Sequence, residues 1–297
     1  LGNREIGVTN GHLFAFGFGS TASVLASRLL DKGWRISGTC RTPEKAEAIR
    51  SRGVVPYLYD GAEKLDPGVL DGATHLLISI PPGADGDPVL RVMRDEIASH
   101  RETVEWIGYL STTGVYGDRA GGLVDEAMEM APTSDRGRRR QAAEEAWFAL
   151  GRDIGVPVQT FRLAGIYGPG RNQIVSLRSG KARRIVKPGH VFSRIHVEDI
   201  ASVLEASIVR PNAGAAYNVC DDEAAPPQDV VAFAAELIGM TPPPEVPFEE
   251  ADLSPMARSF YAESKRVSNK RIKTELGVEL QFPTYREGLR AVAEAGD

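Results

Sequence analysis

The sequence predicts an α/β fold built on a doubly wound parallel sheet, with a smaller C-terminal lobe. Three observations predict it. Short apolar runs alternate with helical stretches of ten or so residues through the first half of the chain, which is the pattern of βαβ units. Residues 74–80, THLLISI, are apolar almost throughout, as in a strand covered on both faces. The last third changes character: a proline-rich stretch, TPPPEVPF at 241–248, lies among helical segments.

The elements follow in order. HLFAF at 12–16 reads as the first strand and runs into Gly17-Phe18-Gly19. Residues 20–31 have helical spacing through Val24, Leu25 and Leu29 and stop near Gly33. Residues 34–39 read as a strand. Thr42 and Pro43 open the next helix as N-cap and first helical residue, and it ends at Gly53. Strands are expected at 54–59, 74–80, 104–110 and 156–163, with helices at 88–99 and 142–150. Further on, PPQ at 226–228 precedes a helix reaching about Gly239, and helices are expected at 265–276 and 285–295. RRIVKPGHVFSR at 183–194 reads as a β-hairpin turning at Pro188-Gly189. The expected division is 11–170 plus 191–222 for the sheet domain and 171–190 plus 223–297 for the lobe, with 1–10 as a tail.

The chain's 297 residues are enough for one large domain or two modest ones. A composition of 42% hydrophobic and 25% charged residues is that of a globular protein. The net charge of −5 argues against a general nucleic-acid binder, so the arginines at 136–140 are a local feature. Cys40 and Cys220 stand far apart without a CxxC. Neither a disulfide framework nor a metal site is expected, which fits a reducing, cytoplasmic setting. No apolar run approaches the ~18 residues of a membrane span. LGNREIGVTN lacks the apolar stretch of a signal peptide, so no membrane association is expected.

Gly17-Phe18-Gly19-Ser20-Thr21-Ala22 fits G-x-G-x-x-A between the first strand and the first helix. Glycines there permit a tight turn and a close backbone approach to a pyrophosphate, while the helix N-terminus offers N–H groups and a positive dipole end. Alone the match is weak, and its bland reading is a tight turn; its position gives it weight. An NAD site usually has Asp or Glu at the end of the second strand. Here stand Gly38-Thr39-Cys40-Arg41-Thr42, with no carboxylate. Arg41 can pair with a 2′-phosphate, which favours NADP(H) over NAD(H); the bland alternative is a surface arginine.

Later stretches form one ordered pattern. Leu110-Ser111-Thr112-Thr113-Gly114-Val115-Tyr116-Gly117 resembles the S-[ST]-x-x-V-Y-G motif of extended short-chain dehydrogenases, the group that includes NAD(P)-dependent sugar-nucleotide epimerases and dehydratases. FRLAGIYGPG at 161–170 is similar to their R-x-x-x-x-Y-G-P-G segment, Ile195–Ile200 to their H-V-x-D element, and Tyr217-Asn218-Val219 to their Y-N-V strand. Ser264-Lys265 and Glu275-Leu276-Gly277 also have counterparts. The glycine loop departs from the usual T-G-x-x-G-x-x-G and marks an atypical branch. The resemblance implies a Rossmann NAD(P)-binding domain, a cofactor contacted by Ser79, Pro81 and Ser111 as well as the glycine loop, a small-molecule, anionic substrate, and a homodimer. Pro81-Pro82-Gly83 would form a stiffened loop over the cofactor's middle.

The resemblance also implies a Y-x-x-x-K about twenty residues after V-Y-G. Its Tyr exchanges the proton, and its Lys, four residues on and so on the same helix face, lowers the Tyr pKa and holds the ribose. Here Arg136 stands at the Tyr position and Arg140 at the Lys position, while Thr112 takes the place of the residue that hydrogen-bonds the substrate oxygen. An arginine cannot exchange a proton at neutral pH. Arg136 can still polarise a carbonyl as a fixed cation, and Arg140 can still bond a ribose or phosphate. Thr113-Gly114 replaces the dehydratases' Asp-Glu, which disfavours 4,6-dehydration. Tyr116, Asp118, Glu126 and His196 are candidate substitute proton donors, each with a structural alternative. The basic residues of 183–194 suit either a diphosphate or a plain surface. Two readings stand: an NADP(H)-dependent oxidoreductase or epimerase-like enzyme with non-standard catalytic residues, or a catalytically inactive NADP(H)-binding sensor.

Overall fold

A computed structural model describes residues 10–296; most of the expected N-terminal tail, 1–9, lies outside the described residues. In chain order the elements of the first stretch are β1 (His12–Phe16), α1 (Ser20–Asp31), β2 (Arg35–Cys40), α2 (Pro43–Arg50), β3 (Val55–Leu58), β4 (His75–Ile78), α3 (Pro88–Ser99) and β5 (Trp106–Thr112). After them come β6 (Leu123–Val124), α4 (Asp135–Ile154), β7 (Val158–Leu163), β8 (Gly165–Tyr167), α5 (Gln173–Arg178), β9 (Arg184–Val186), β10 (Arg194–His196), α6 (Val197–Val209) and β11 (Ala216–Val219). The last stretch holds α7 (Pro227–Leu237), β12 (Glu245–Pro247), α8 (Pro255–Phe260), β13 (Arg266–Val267), α9 (Lys270–Thr274) and α10 (Tyr285–Glu294).

The chain divides into two compact units. The first comprises residues up to 111, 139–161 and 201–217; the second comprises 112–138, 162–200 and 218 onward.

The first unit is organised on a seven-stranded sheet of order β11-β7-β5-β4-β1-β2-β3. The pairings from β3 through β2, β1 and β4 to β5 are parallel. Every residue of β1 is buried. Phe14 and Phe16 join a core with Met93 and Ile97 of α3 and Trp147 and Leu150 of α4. Leu13 and Ala15, pointing the other way by the two-residue period of a strand, are equally buried. On α1, Arg28 donates to Ser202 at 2.9 Å and to Glu205 at 3.2 Å, both on α6. β3 is an edge strand. Tyr59 N–H donates inward to the Cys40 carbonyl, so by the same period the N–H of position 56 would face outward, where Pro56 has none. The edge is thereby blunted.

The second unit has a separate core in which α5, α7 and α10 bury Ile174, Leu177, Val230, Val231, Ala234, Tyr285 and Leu289. The expected hairpin at 183–194 does not form. β9 pairs in parallel with β12 and β10 in parallel with β8, so both strands find partners distant in sequence. The proline-rich 241–248 segment is itself the source of β12. The helix expected at 265–276 is cut to α9, since Arg266 and Val267 pair with β6. Among the described residues no helix is long and apolar enough to cross a membrane, and no cluster of His, Cys, Asp or Glu could hold a metal.

Candidate functional site

In the first unit, the predicted cofactor residues gather at the C-terminal ends of parallel strands. Gly17–Ala22 follows β1, Arg41 follows β2, Ser79 and Pro81 follow β4, and Ser111 is the penultimate residue of β5. The chain builds outward from β1 to β2 and β3, then crosses to β4 on the other side. Between β1 and β4 the sheet therefore has its topological switch point, where a parallel α/β sheet opens a crevice for ligands.

Gly17 and Gly19 do different things there. Gly17 has φ +91°, and an added Cβ would lie 2.9 Å from Ile80 Cγ1 and 3.3 Å from Ser79 Oγ, so only glycine fits between the two strands. Gly19 caps α1 with ordinary backbone angles, and an added Cβ would meet only Ser79 Oγ, at 4.0 Å. The loop is pinned from below by Thr39: its hydroxyl accepts from Gly17 N–H at 2.7 Å, and its carbonyl accepts from Phe18 N–H at 2.8 Å. Phe18 is buried, its ring against Gly38. Gly17 and Phe18 thus contribute shape rather than donors. The donors belong to Ser20, Thr21 and Ala22 in the first turn of α1, which no side chain caps. Thr39 was missed from sequence, where a strand threonine carries no distinguishing signal.

The residues present fit a dinucleotide. Open space lies ahead of Gly19 at a twelve-residue helix's N-terminus. Ser111, at the end of β5, keeps a buried hydroxyl with no hydrogen-bond partner among the described residues. Arg41 is exposed beyond β2 and Pro81 is exposed beyond β4.

Arg140 also belongs to this unit and is buried. Its Nη1 donates to the Leu110 carbonyl and to Tyr109 Oη, the latter at 3.3 Å. The guanidinium lies 5.8 Å from the Tyr109 ring centroid. Burial pushes the Tyr109 phenol well up, with Arg140 opposing. Close by, Asp87 caps α3 and accepts from Trp147 Nε1 at 3.1 Å. Arg140 is therefore built into the wall of β5.

In the second unit, Thr112 and Arg136 come from neighbouring backbone. A Cβ on Gly137 would lie 3.0 Å from the Gly114 carbonyl oxygen and 2.7 Å from Pro132 Cβ, so the start of α4 is pressed against the turn that follows Thr112. Ser134 Oγ accepts from Gly137 N–H at 3.1 Å and starts the helix. Arg136 is exposed and Thr112 half-buried. The Thr112 hydroxyl oxygen accepts from Gly114 N–H at 3.2 Å, which leaves its own proton to donate.

The other proton-donor candidates are engaged in structure. Tyr116 is buried, donates to Asn218 Oδ1 at 2.7 Å and accepts from Arg162 at 2.8 Å; burial raises its pKa, opposed by Arg162. Glu126 accepts from Asn218 N–H at 2.7 Å. Asp118 accepts from Ser264 N–H at 2.7 Å, which holds its pKa low. His196 is buried, with its ring 4.1 Å from that of Phe282. Sequence reasoning missed Asp221 and counted Arg194 only among the basic residues of 183–194. Arg194 is buried and donates to the Phe192 and Ala225 carbonyls at 2.7 and 3.1 Å. Burial pushes the Asp221 carboxyl up to about 8, opposed by Arg194, and its Oδ2 has no hydrogen-bond partner.

Residues 89–220 match the profile of the NAD dependent epimerase/dehydratase family. A functionally unknown conserved protein from Silicibacter pomeroyi DSS, known by its structure, is 56% identical over 97% of this chain and 100% of its own, with a TM-score of 0.89. Over residues 89–220 the chain belongs to the NAD-dependent epimerase/dehydratase family. Protein YeeZ of Escherichia coli (strain K12) is 29% identical over 279 residues, covering 90% of this chain and 94% of its own. The fold is shared with UDP-glucuronic acid 4-epimerase from Bacillus cereus, solved with UDP-glucuronic acid and NAD. The two are 16% identical over 95% and 98% of the chains, with a TM-score of 0.76.

Proposed function

We propose that this family member binds NADP(H) in preference to NAD(H) and acts as a sensor or regulatory protein rather than through the family's proton relay. The placement of Arg140 carries this reading. At the position of the family's ribose-holding lysine, the guanidinium is buried and committed to Leu110 and Tyr109. Arg136, at the tyrosine position, cannot exchange a proton at neutral pH. The dinucleotide pyrophosphate would rest on the first turn of α1, with Arg41 on the 2′-phosphate and Ser111 bonding through its unpartnered hydroxyl.

One observation favours a second reading, an oxidoreductase or epimerase-like enzyme. The Thr112 hydroxyl keeps its proton to donate to a substrate oxygen, and Gly137 packed on Gly114 keeps Arg136 beside that turn, where a fixed cation can polarise a carbonyl. The substrate would be an anionic small molecule of the sugar-nucleotide class, the class bound by the Bacillus cereus epimerase.

Calorimetric titration with NADPH, NADP+ and NADH, followed by absorbance at the nicotinamide band with a panel of sugar nucleotides, separates the readings. NADPH bound at least tenfold more tightly than NADH, and lost in Arg41→Ala, supports the cofactor assignment. No hydride transfer with any substrate supports the sensor; turnover lost in Thr112→Val supports the enzyme. Equal affinity for NADPH and NADH removes the role given to Arg41.

A further inference from the structure

The second unit carries a groove that no cofactor or substrate motif uses. It has a volume of about 630 Å³ and is open along its length. Asp229, Phe233 and Glu236 of α7 line one side, with Met240 just beyond that helix; Tyr285 and Arg286 of α10 line the other. The positions 229, 233 and 236 recur at the spacing of a single helix face, and Met240 follows the left-handed Gly239 that ends the helix. The floor is aromatic, with the Phe233 and Tyr285 rings edge to face at 5.7 Å, and Met240 is 40% exposed.

The charges around this floor do not balance. Arg286 is ion-paired with Glu223 and lies 4.5 Å over the Tyr285 ring. Arg290 lies 5.4 Å over the Phe233 ring and faces Glu287 at 3.6 Å. Both cations at the groove thus have carboxylate partners. Asp229 and Glu236 are exposed and have no ion-pair partner among the described residues. With both arginines matched by Glu223 and Glu287, the groove keeps two unmatched carboxylates, Asp229 and Glu236, beside its apolar floor.

We propose that this groove receives a cationic amphipathic helix of a partner protein. An apolar side chain of that helix seats on Phe233 and Met240, and two Lys or Arg residues seven positions apart meet Asp229 and Glu236. Seven residues of α-helix rise about 10 Å, so a helix lying along α7 matches the separation of the two carboxylates. A channel between two helices is the surface into which a third packs, with an apolar centre and a charged rim. Small-molecule sites enclose most of their ligand, which this open groove does not do. The proposal stands independently of the cofactor reading.

The test pans a phage-displayed library of 14-residue peptides against the full-length protein, then measures an enriched peptide by fluorescence anisotropy. The expected result is enrichment of apolar residues flanked by Lys or Arg at seven-residue spacing. Affinity should fall at least tenfold in Asp229→Lys/Glu236→Lys, and also in Met240→Glu, with unchanged circular dichroism. No enrichment, enrichment without basic residues, or unchanged affinity in the charge-reversed protein overturns the proposal. Sedimentation of the protein alone covers the other occupant: self-association abolished by Asp229→Lys/Glu236→Lys means that a second copy fills the groove, and the partner helix is then wrong.

Discussion

Replacing Gly19 by alanine separates the fold from the site. Gly19 has φ −89° and ψ −167°, a conformation alanine adopts freely. The added methyl meets only Ser79 Oγ, at 4.0 Å. Alanine is a poorer N-cap than glycine, by at most about 1 kcal/mol, and the melting temperature should move by only a few degrees. The methyl does, however, fill the space ahead of α1. A phosphate held back from the helix loses one or two hydrogen bonds to a charged group, together about 3 kcal/mol, or roughly 150-fold in Kd. Calorimetry with NADPH beside a thermal melt reads both quantities. A folded Gly19→Ala protein with wild-type affinity would falsify the placement of a dinucleotide on α1 and reduce the glycine loop to a turn.

Four further outcomes are expected. Gly17→Ala should lower stability itself, by about 1–3 kcal/mol, because φ is +91° and Ile80 leaves no room; a chemical melt reads it. Arg140→Met should destabilise by a similar ~1–3 kcal/mol, since the buried Leu110 carbonyl loses its side-chain donor, and Arg140→Lys should recover part of that; unchanged melts in both would show that the guanidinium is not built into β5. His75 is held neutral by burial, its pKa lowered to about 4, so the unfolded chain takes up protons first and stability should fall as pH drops from about 6.5 to about 4, by roughly 3 kcal/mol from this residue. His75→Gln should flatten that part of the pH–stability curve. Asp221 has the opposite sign: its raised pKa means the folded state keeps a proton the unfolded state releases, so its contribution weakens as pH rises from about 4 toward about 8. Asp221→Asn should therefore gain relative stability at pH 8–9 over pH 4, and an equal difference at both would refute the buried carboxyl.

The sheet was legible because its information is local. β1 and β4 are apolar runs, α1 ends near Gly33, and Asp87-Pro88 starts α3 where a capping side chain and N1 proline should. The second unit was less legible because its strands are two or three residues long and pair with distant ones. Pro188-Gly189 gives the local signature of a hairpin, but the strands on either side of it find partners at 245–247 and 165–167. The start of α4 was placed seven residues late, since four arginines hide any apolar period there. Motif order set Gly17–Ala22 between β1 and α1, Thr112 at the end of β5 and Arg136 in the first turn of α4. It could not show that Thr39 takes up the first loop donors, or that Arg140 turns into β5, because both depend on which groups lie behind the motif.

Arg140 also bears on whether a tyrosine–lysine pair could be built into this chain. Gly137 fixes the backbone of α4's first turn whatever side chain stands at 136, so a tyrosine could be placed at that position without moving the chain. Position 140 is less free. Its guanidinium now serves both a strand carbonyl and a buried phenol, and a lysine there would have one ammonium to divide between that wall and a ribose. The two positions are therefore unequal: at 136 a side chain can change on an unchanged scaffold, while at 140 any replacement has to rebuild the wall it leaves.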